Sequence, residues 1–449
     1  MEAARWFISL LACVTLAAAP AAHPVLTFTV SSHKEPPIGM NSSTGKAVVP
    51  SDETYQLGIT LGHRYLIEEM QGTRTIYDFD RLRILRVNPA AKTYTDDSLY
   101  SDIGFRAVEF QNRINLGTAL QAGKVAVNPM EPALMEHLFS LSNPKGQTDL
   151  DRRHGGGATE FYWGNHKLMS VSDKTRELPA GYQSEYWRFL RYYAGGHPKI
   201  YAQLATVQGV PEKVTFVLTN MGTETREMSL KEIHTDADAS YSLDGLVPAQ
   251  PGDPPYDTLK LLGTDAVAQL ATRTEKTAKD RDAALAQGHV LDALLSNMAI
   301  LIMTGDGAAT TTWTAQHREA IQNDESARSL TANLNPRDQA SAKSAVQVLA
   351  ELRKQPGNAG YVLDIFEGNE LLSLRDGKGG ADHLLAALAV NPYLLGAWKD
   401  LGGYYYQSYQ ADKAWACWDA ARRVNPQHAM LLPVTEMEGR LRTAFPEFF

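Results

Sequence analysis

Cysteine is nearly absent from this chain: 449 residues carry two, Cys13 and Cys417. That excludes the disulfide framework of small secreted domains and any zinc site built on thiolate pairs. Charge of one sign is missing too. Lysine and arginine number 43 against 51 aspartates and glutamates, a net charge of −8, with both signs spread along the chain. No basic stripe exists for nucleic acid, and no polybasic patch for an anionic membrane. Long apolar runs are missing as well. Val290 to Met303 is the most apolar run after the N-terminus. It is interrupted by Asp292, Ser296 and Asn297 and falls short of the ~20 residues that cross a bilayer. The short catalytic signatures H-E-x-x-H and G-x-S-x-G do not occur, and no cysteine–histidine pair offers a nucleophile. We therefore expect a non-catalytic protein with no catalytic residue, cofactor or metal.

What is present starts at the N-terminus. Arg5 precedes an uncharged run from Trp6 to Ala19, and Ala19-Pro20-Ala21-Ala22 follows. A basic residue, a short apolar core and small residues at the exit read as a secretory signal peptide over residues 1–22. The mature chain is then expected to begin between Ala21 and Pro24, in the periplasm or outside the cell. Leu10-Leu11-Ala12-Cys13 supports a second reading, in which Cys13 carries a lipid anchor and the protein is an envelope lipoprotein.

The remainder divides by pattern. Residues 24–248 alternate apolar and polar positions, are rich in Val, Ile, Thr, Tyr and Phe, and are punctuated by Asn88-Pro89, Gly164-Asn165 and Asn220-Met221-Gly222. Two hairpins are predicted, Phe161–Trp163 with Lys167–Val171 and Lys213–Leu218 with Glu224–Ile233. Helices are predicted near Phe105–Ala122, Pro132–Ser142 and Glu185–Tyr193. This is an α+β domain around a curved antiparallel sheet. Pro248 to Pro255 holds four prolines, so 249–256 is expected to be an exposed linker free of ladder bonds. Residues 257–449 turn to a period of 3.6, in Asp265–Leu270, Asp280–Leu285, His289–Met303 and Ser341–Leu352, and are expected to be all-α.

Within the helical part, Trp398, Leu401, Gly402 and Tyr405, then Ala414, Trp418, Ala421 and Pro426, stand at the spacing W-x2-L-G-x2-Y, A-x3-F, A, P. Small Gly402 and Ala414 let two helices approach, large residues fill the space beside them, and Pro426 ends the second helix. Gly368, Ala387 and Pro392 echo Gly402, Ala421 and Pro426 at the 34-residue period, with Asp364 in the place of Trp398 and Gly380 in that of Ala414. Residues 361–444 thus resemble the tetratricopeptide repeat family, with Pro433–Ala444 as a capping helix. The resemblance implies a groove that docks a protein or peptide partner, with Tyr404, Tyr406 and Tyr409 as candidate contacts and packing as their other role.

Thr75–Asp78, Arg83–Pro89, Lys92–Thr95, Gly209–Val214 and Tyr241–Leu243 are similar, in strand order and turn placement, to periplasmic lipoprotein carriers over about 60–248. That likeness implies helices in the concave face of the sheet and an apolar cavity for an acyl chain or an extended segment. A β-rich domain of another type is the alternative.

Three clusters of polar residues invite a chemical reading. Asp149, Asp151, Arg152, Arg153 and His154, before Gly155-Gly156-Gly157, could form an anion loop or a hydrolase site, or a surface turn. His234, Asp236 and Asp238 alternate on one strand face, as ligands of a divalent cation or as a solvated edge. Gly377-Lys378-Gly379-Gly380 reads as a loop between helices. The expected function is an exported binding protein whose β domain holds an apolar or extended ligand and whose repeats dock a protein. The alternative is an assembly scaffold with no small ligand.

Overall fold

The computed structural model describes residues 22–37, 49–123, 131–143, 148–220, 222–237, 239–249, 251–263, 265–355 and 357–449. The signal segment and Cys13 lie outside the described residues, apart from Ala22, and so does Asp238.

The first half opens on β1 (His23–Glu35), where Leu26, Phe28 and Val30 are buried and Val25, Thr27 and Thr29 are half-exposed, the period of two that the sequence carries. A meander follows: β2 (Ser51–Leu61), β3 (Tyr65–Met70), β4 (Thr73–Asp78), β5 (Arg83–Asn88) and β6 (Thr93–Ser98). Helices α1 (Leu99–Ala122) and α2 (Pro132–Phe139) lead to β7 (Asp151–Gly155), β8 (Ala158–Trp163), β9 (His166–Ser172) and the short β10 (Thr175–Arg176). Then come α3 (Gln183–Tyr193), α4 (Pro198–Leu204), β11 (Val210–Pro211), β12 (Lys213–Asn220), β13 (Gly222–Asp236) and β14 (Val247–Pro248). Among the described residues twelve strands form one open sheet in the order β14-β6-β5-β4-β3-β2-β1-β13-β12-β9-β8-β7. Every pair is antiparallel except β14 with β6. Both predicted hairpins form, as β8–β9 and β12–β13. Gly156 and Gly157, both at positive φ with open space around them, make the two-residue turn between β7 and β8, so that glycine run is a hairpin tip.

One face of the sheet is covered by α1 to α4. Leu26, Phe28 and Leu57 below, and Phe189, Leu190 and Ile200 above, have no surface that a water molecule could touch. Side chains around a void wide enough for an acyl chain would show such surface, so these six positions border no such void. On the opposite face Ile67, Ile76, Leu85 and Val87 form a small second core under Tyr241, Leu243 and Leu246.

From Tyr256 on, every regular element among the described residues is helical. These are α5 (Tyr256–Leu259), α6 (Ala266–Ala286), α7 (Val290–Thr304), α8 (Gly307–Gln316), α9 (Arg318–Asn323), α10 (Glu325–Asn333) and α11 (Gln339–Leu352), then α12 (Tyr361–Ser373), α13 (Gly377–Val390), α14 (Leu395–Gln407), α15 (Ala411–Val424) and α16 (Leu432–Ala444). The two stretches expected at Asp265–Leu270 and Asp280–Leu285 are one helix, α6. Its middle turns only small Ala278 toward the core, between Leu270 and Leu285, and the exposed i,i+4 ion pairs Glu275–Lys279 and Lys276–Asp280 line its solvent side. The run Gly377–Gly380, expected as a loop, is the first turn of α13. Asp376 caps it by accepting the Gly379 N–H at 3.0 Å.

The bounds of α14 and α15 lie 34 residues after those of α12 and α13, the period seen in the sequence. A Cβ at Gly402 would lie 2.4 Å from Nε1 of Trp418, which donates to Lys399 O at 3.1 Å. Gly403 faces open space. Glycine in a helix interior costs ~1 kcal/mol relative to alanine, so Gly403→Ala should be neutral or mildly stabilising. Gly402→Leu should instead cost roughly 1–3 kcal/mol through overpacking. Thermal melts of the two variants check this, and a Gly402→Leu protein as stable as the parent would break the packing account. In the earlier unit Gly368 and Gly380 face each other. A Cβ at either would meet the other's carbonyl oxygen within 3 Å, so glycine in place of Ala414 there permits still closer backbones.

The Pro-rich stretch is exposed at Pro251–Pro254 but is not free of ladder bonds. Val247 and Pro248 pair in parallel with Thr93 and Tyr94, and Ala249 N donates to Tyr94 O at 2.7 Å. Proline cannot donate, but at a sheet edge its N faces away from the ladder and the strand is tolerated. The two halves also share one contiguous apolar core. Trp415 of α15 lies against Gly104 of α1, Tyr192 of α3 donates to Phe448 O at 2.7 Å, and Arg83 of β5 pairs with Asp419 of α15 at 2.6 Å.

Candidate functional site at the sheet–helix junction

Strand β14 covers only the first two residues of β6, and the rest of that edge borders a cleft of about 360 Å³. Its sheet wall is Thr95, Asp96, Asp97 and Ser98 with Arg83, and its helix wall is Asp412, Ala416, Asp419, Ala420 and Arg423 of α15. Pro248, Pro251 and Tyr256 close the ends. Meander and repeat helix thus meet at a strand edge, and four carboxylates face two guanidinium groups. Arg83 holds the walls together, through Asp96 at 2.6 Å and Asp419 at 2.6 Å. Burial works against its charge, but these two carboxylates outweigh it and raise its pKa. Burial pushes the Asp97 carboxyl up, against the pull of Arg86, its ion-pair partner. Arg423 donates to the carbonyls of Leu262 at 2.8 Å and Gly263 at 2.9 Å, so its charge is directed partly away from the cleft.

The motif residues Trp398, Leu401, Gly402, Tyr405, Ala414, Trp418 and Ala421 are all buried in the α14–α15 pair, and Pro426 follows the extended Asn425 that ends α15. Trp398 donates to Pro392 O at 2.8 Å, tying one unit to the turn of the other. Of the three tyrosines, Tyr406 packs its ring on Trp415 and Trp418, and Tyr404 lies over Gly377. Tyr409 is the exposed one, in a left-handed turn between the helices. Helix α7, the most apolar, packs on both α12 and α14, the first helices of the two units. Part of the face where a groove was expected is covered by the chain itself.

His154 sits on the edge strand β7, 3.1 Å from Thr159 Oγ1 through Nδ1 and 3.4 Å from Asp173 Oδ2 through Nε2. This looks like a nucleophile, base and acid in a row. However, the Thr159 hydroxyl is buried and lies within donating distance of Asp173 directly, at 3.2 Å. Asp149, Asp151, Arg152 and Arg153 are exposed, as charges that guard a sheet edge are. His234 and Asp236 stand exposed near the end of β13.

No protein-family model matches the chain, and no curated protein matches it.

Among the described residues one group gathers metal-ligand atoms: Asp364 and Glu367 on α12 and His383 on α13, within 4.8 Å of one another. In the sequence Asp364 stands out only as the residue in the place of Trp398, and Glu367 and His383 belong to no motif. Their signal was available, as two carboxylates three residues apart on one helix face and a histidine on the next helix. The junction cleft had no such signal, because Asp96 and Asp419 are brought together only by long-range packing.

Proposed function

We propose that this is a non-catalytic binding protein of the cell envelope that grips an extended polypeptide segment in the cleft between β6 and α15. The observation that carries the reading is the composite wall, a strand edge paired over only part of its length beside a repeat helix. Strand edges add extended chains through main-chain hydrogen bonds, and neighbouring pockets select side chains. Asp96 and Asp419 are paired with Arg83 and Asp97 with Arg86, so the exposed Asp412 is the carboxylate of the cleft that favours a basic residue in the segment. We read residues 361–444 as tetratricopeptide-type repeats on the strength of the 34-residue offset. They would form the helical wall and offer Tyr409 as an outer contact. The signal-type segment over residues 1–22 supports a place outside the cytoplasm, and removal before His23 would leave β1 whole. No helix among the described residues is long and apolar enough to cross a membrane.

A photo-reactive amino acid at Ala416, introduced in the producing cell, tests the proposal. The expected result is a crosslinked peptide with basic residues, reduced roughly tenfold by Asp412→Lys, a change of charge at an exposed position. Stoichiometric acyl lipid in an extract of the natively purified protein, with no crosslink from Ala416, would favour a lipid carrier and overturn the reading.

A further inference from the structure

Three atoms converge on one point between α11, α12 and α13. Asp364 Oδ1 lies 2.5 Å from Arg353 Nη1, His383 Nδ1 lies 3.0 Å from it, and Glu367 Oε2 also lies 3.0 Å from it. Nη1 carries two hydrogens, so it can serve two of the three. Glu367 is nearly buried, at 5% exposure, and its Oε2 has no directed hydrogen bond in spite of that distance. His383 is over-committed as well. Its Nδ1 lies 2.9 Å from Asp364 Oδ1, which calls for a proton on that nitrogen, and accepts from Arg353, which calls for a lone pair. One nitrogen does not do both. A metal ion at the arginine's position would use the Nδ1 lone pair and both carboxylate oxygens together.

The repeat gives a second, independent line. At the 34-residue offset Asp364, Glu367 and His383 stand where the next unit has Trp398, Leu401 and Cys417, all buried in its core. Three positions that are apolar core in the next unit thus carry ligand-type residues here, and of the three Glu367 is buried, which costs several kcal/mol unless its carboxylate is satisfied.

We propose that Asp364, Glu367 and His383 form a site for one divalent transition-metal ion, and that the Arg353 guanidinium stands in the ion's place when metal is scarce. One imidazole nitrogen and two carboxylate oxygens suit zinc, with ligand distances near 2.0–2.2 Å and a fourth position left for water. The three groups need to close by less than about 1 Å from their spacing around Nη1. Arg353 is about one-third exposed at the end of α11 and can turn out to solvent.

Zinc titration of the full chain by calorimetry, with thermal melts at matched zinc, tests this. The parent should bind one zinc ion and melt higher with it. Arg353→Met should bind zinc about tenfold more tightly, since the competing cation is gone. His383→Gln should abolish the site in either background. An ion-pair knot without metal function predicts the reverse, in which Arg353→Met gains no zinc affinity and only loses stability. A folded Arg353→Met chain that takes up no more zinc than its His383→Gln partner would overturn the proposal. Should Arg353→Met not fold, the parent decides: no zinc-dependent rise in Tm, or a rise that His383→Gln retains, overturns it equally.

Discussion

Trp415→Ala is expected to destabilise the whole molecule by about 3–5 kcal/mol, the range for a fully buried aromatic, and to do so in a single transition. The Trp415 ring has no exposed surface, and it seats where α1 has a glycine. A Cβ at Gly104 would lie 2.3 Å from the ring's Cη2. Its Nε1 donates to Glu438 Oε1 at 2.9 Å, and Arg422 supplies the carboxylate's other donor at 2.7 Å. Truncation therefore opens a void between sheet-side and repeat-side helices and removes one of two donors from a buried carboxylate. Gly104→Leu attacks the same contact from the other side and should also be destabilising, by overpacking. Melts followed both by dichroism and by aromatic fluorescence decide it. Two separate transitions, with the repeats unaffected, would mean that α1 and α15 touch without energetic consequence. The sequence pattern favours a helical fragment from Tyr256 that folds by itself. The shared core changes that expectation, because the fragment would bare Trp415 and Phe448, whose partners Gly104 and Tyr192 lie in the first half, to water.

The contrast shows which features a sequence carries. Hairpins at Gly164-Asn165 and Asn220–Gly222 depend on residues a few positions apart, so turn chemistry reveals them. The α14–α15 pair is legible for the same reason, since Gly402, Ala414 and Trp418 meet within one repeat. Helix α6 was split because the expectation followed apolar period alone, whereas its middle turns only small Ala278 toward the core. The junction was hidden. Nothing near Gly104 in sequence announces that Trp415, more than 300 residues later, needs a residue without a Cβ there. Prolines 248–255 suggested a free hinge for a local reason, and the long-range pairing of Val247 and Pro248 with β6 overrides it. The polar trio in the earlier unit is hidden for another reason, because Asp364 takes the place of Trp398 in a pattern defined by apolar positions.

The stability of the parent minus that of His137→Gln is expected to fall by about 4 kcal/mol as pH is lowered from 7 to 3. His137 of α2 is buried, its Nδ1 accepts the His197 N–H at 2.9 Å, and burial together with neighbouring His197 lowers its pKa to about 3. An unfolded histidine titrates near 6.5. The folded pKa is thus the lower one. Between the two values the unfolded chain binds a proton that the folded chain refuses, so stability is full above pH ~6.5 and declines as pH falls toward 3, at about 1.4 kcal/mol per unit. The parent alone does not display this slope throughout. Burial raises Glu68 to about 7, and such a carboxyl takes up its proton in the folded state first, which stabilises the fold on acidification down to its ordinary range. Between about pH 6.5 and 4.5 the Glu68 term therefore opposes the His137 term in the parent. Glutamine keeps an acceptor for the His197 N–H but does not titrate, so the difference between parent and variant isolates the histidine. Glu68→Gln in the parent should uncover the decline from pH ~6.5 downward. Denaturant titrations at each pH measure both, and a parent-minus-variant difference that is flat with pH would mean that His137 takes up its proton as readily in the fold as in the unfolded chain.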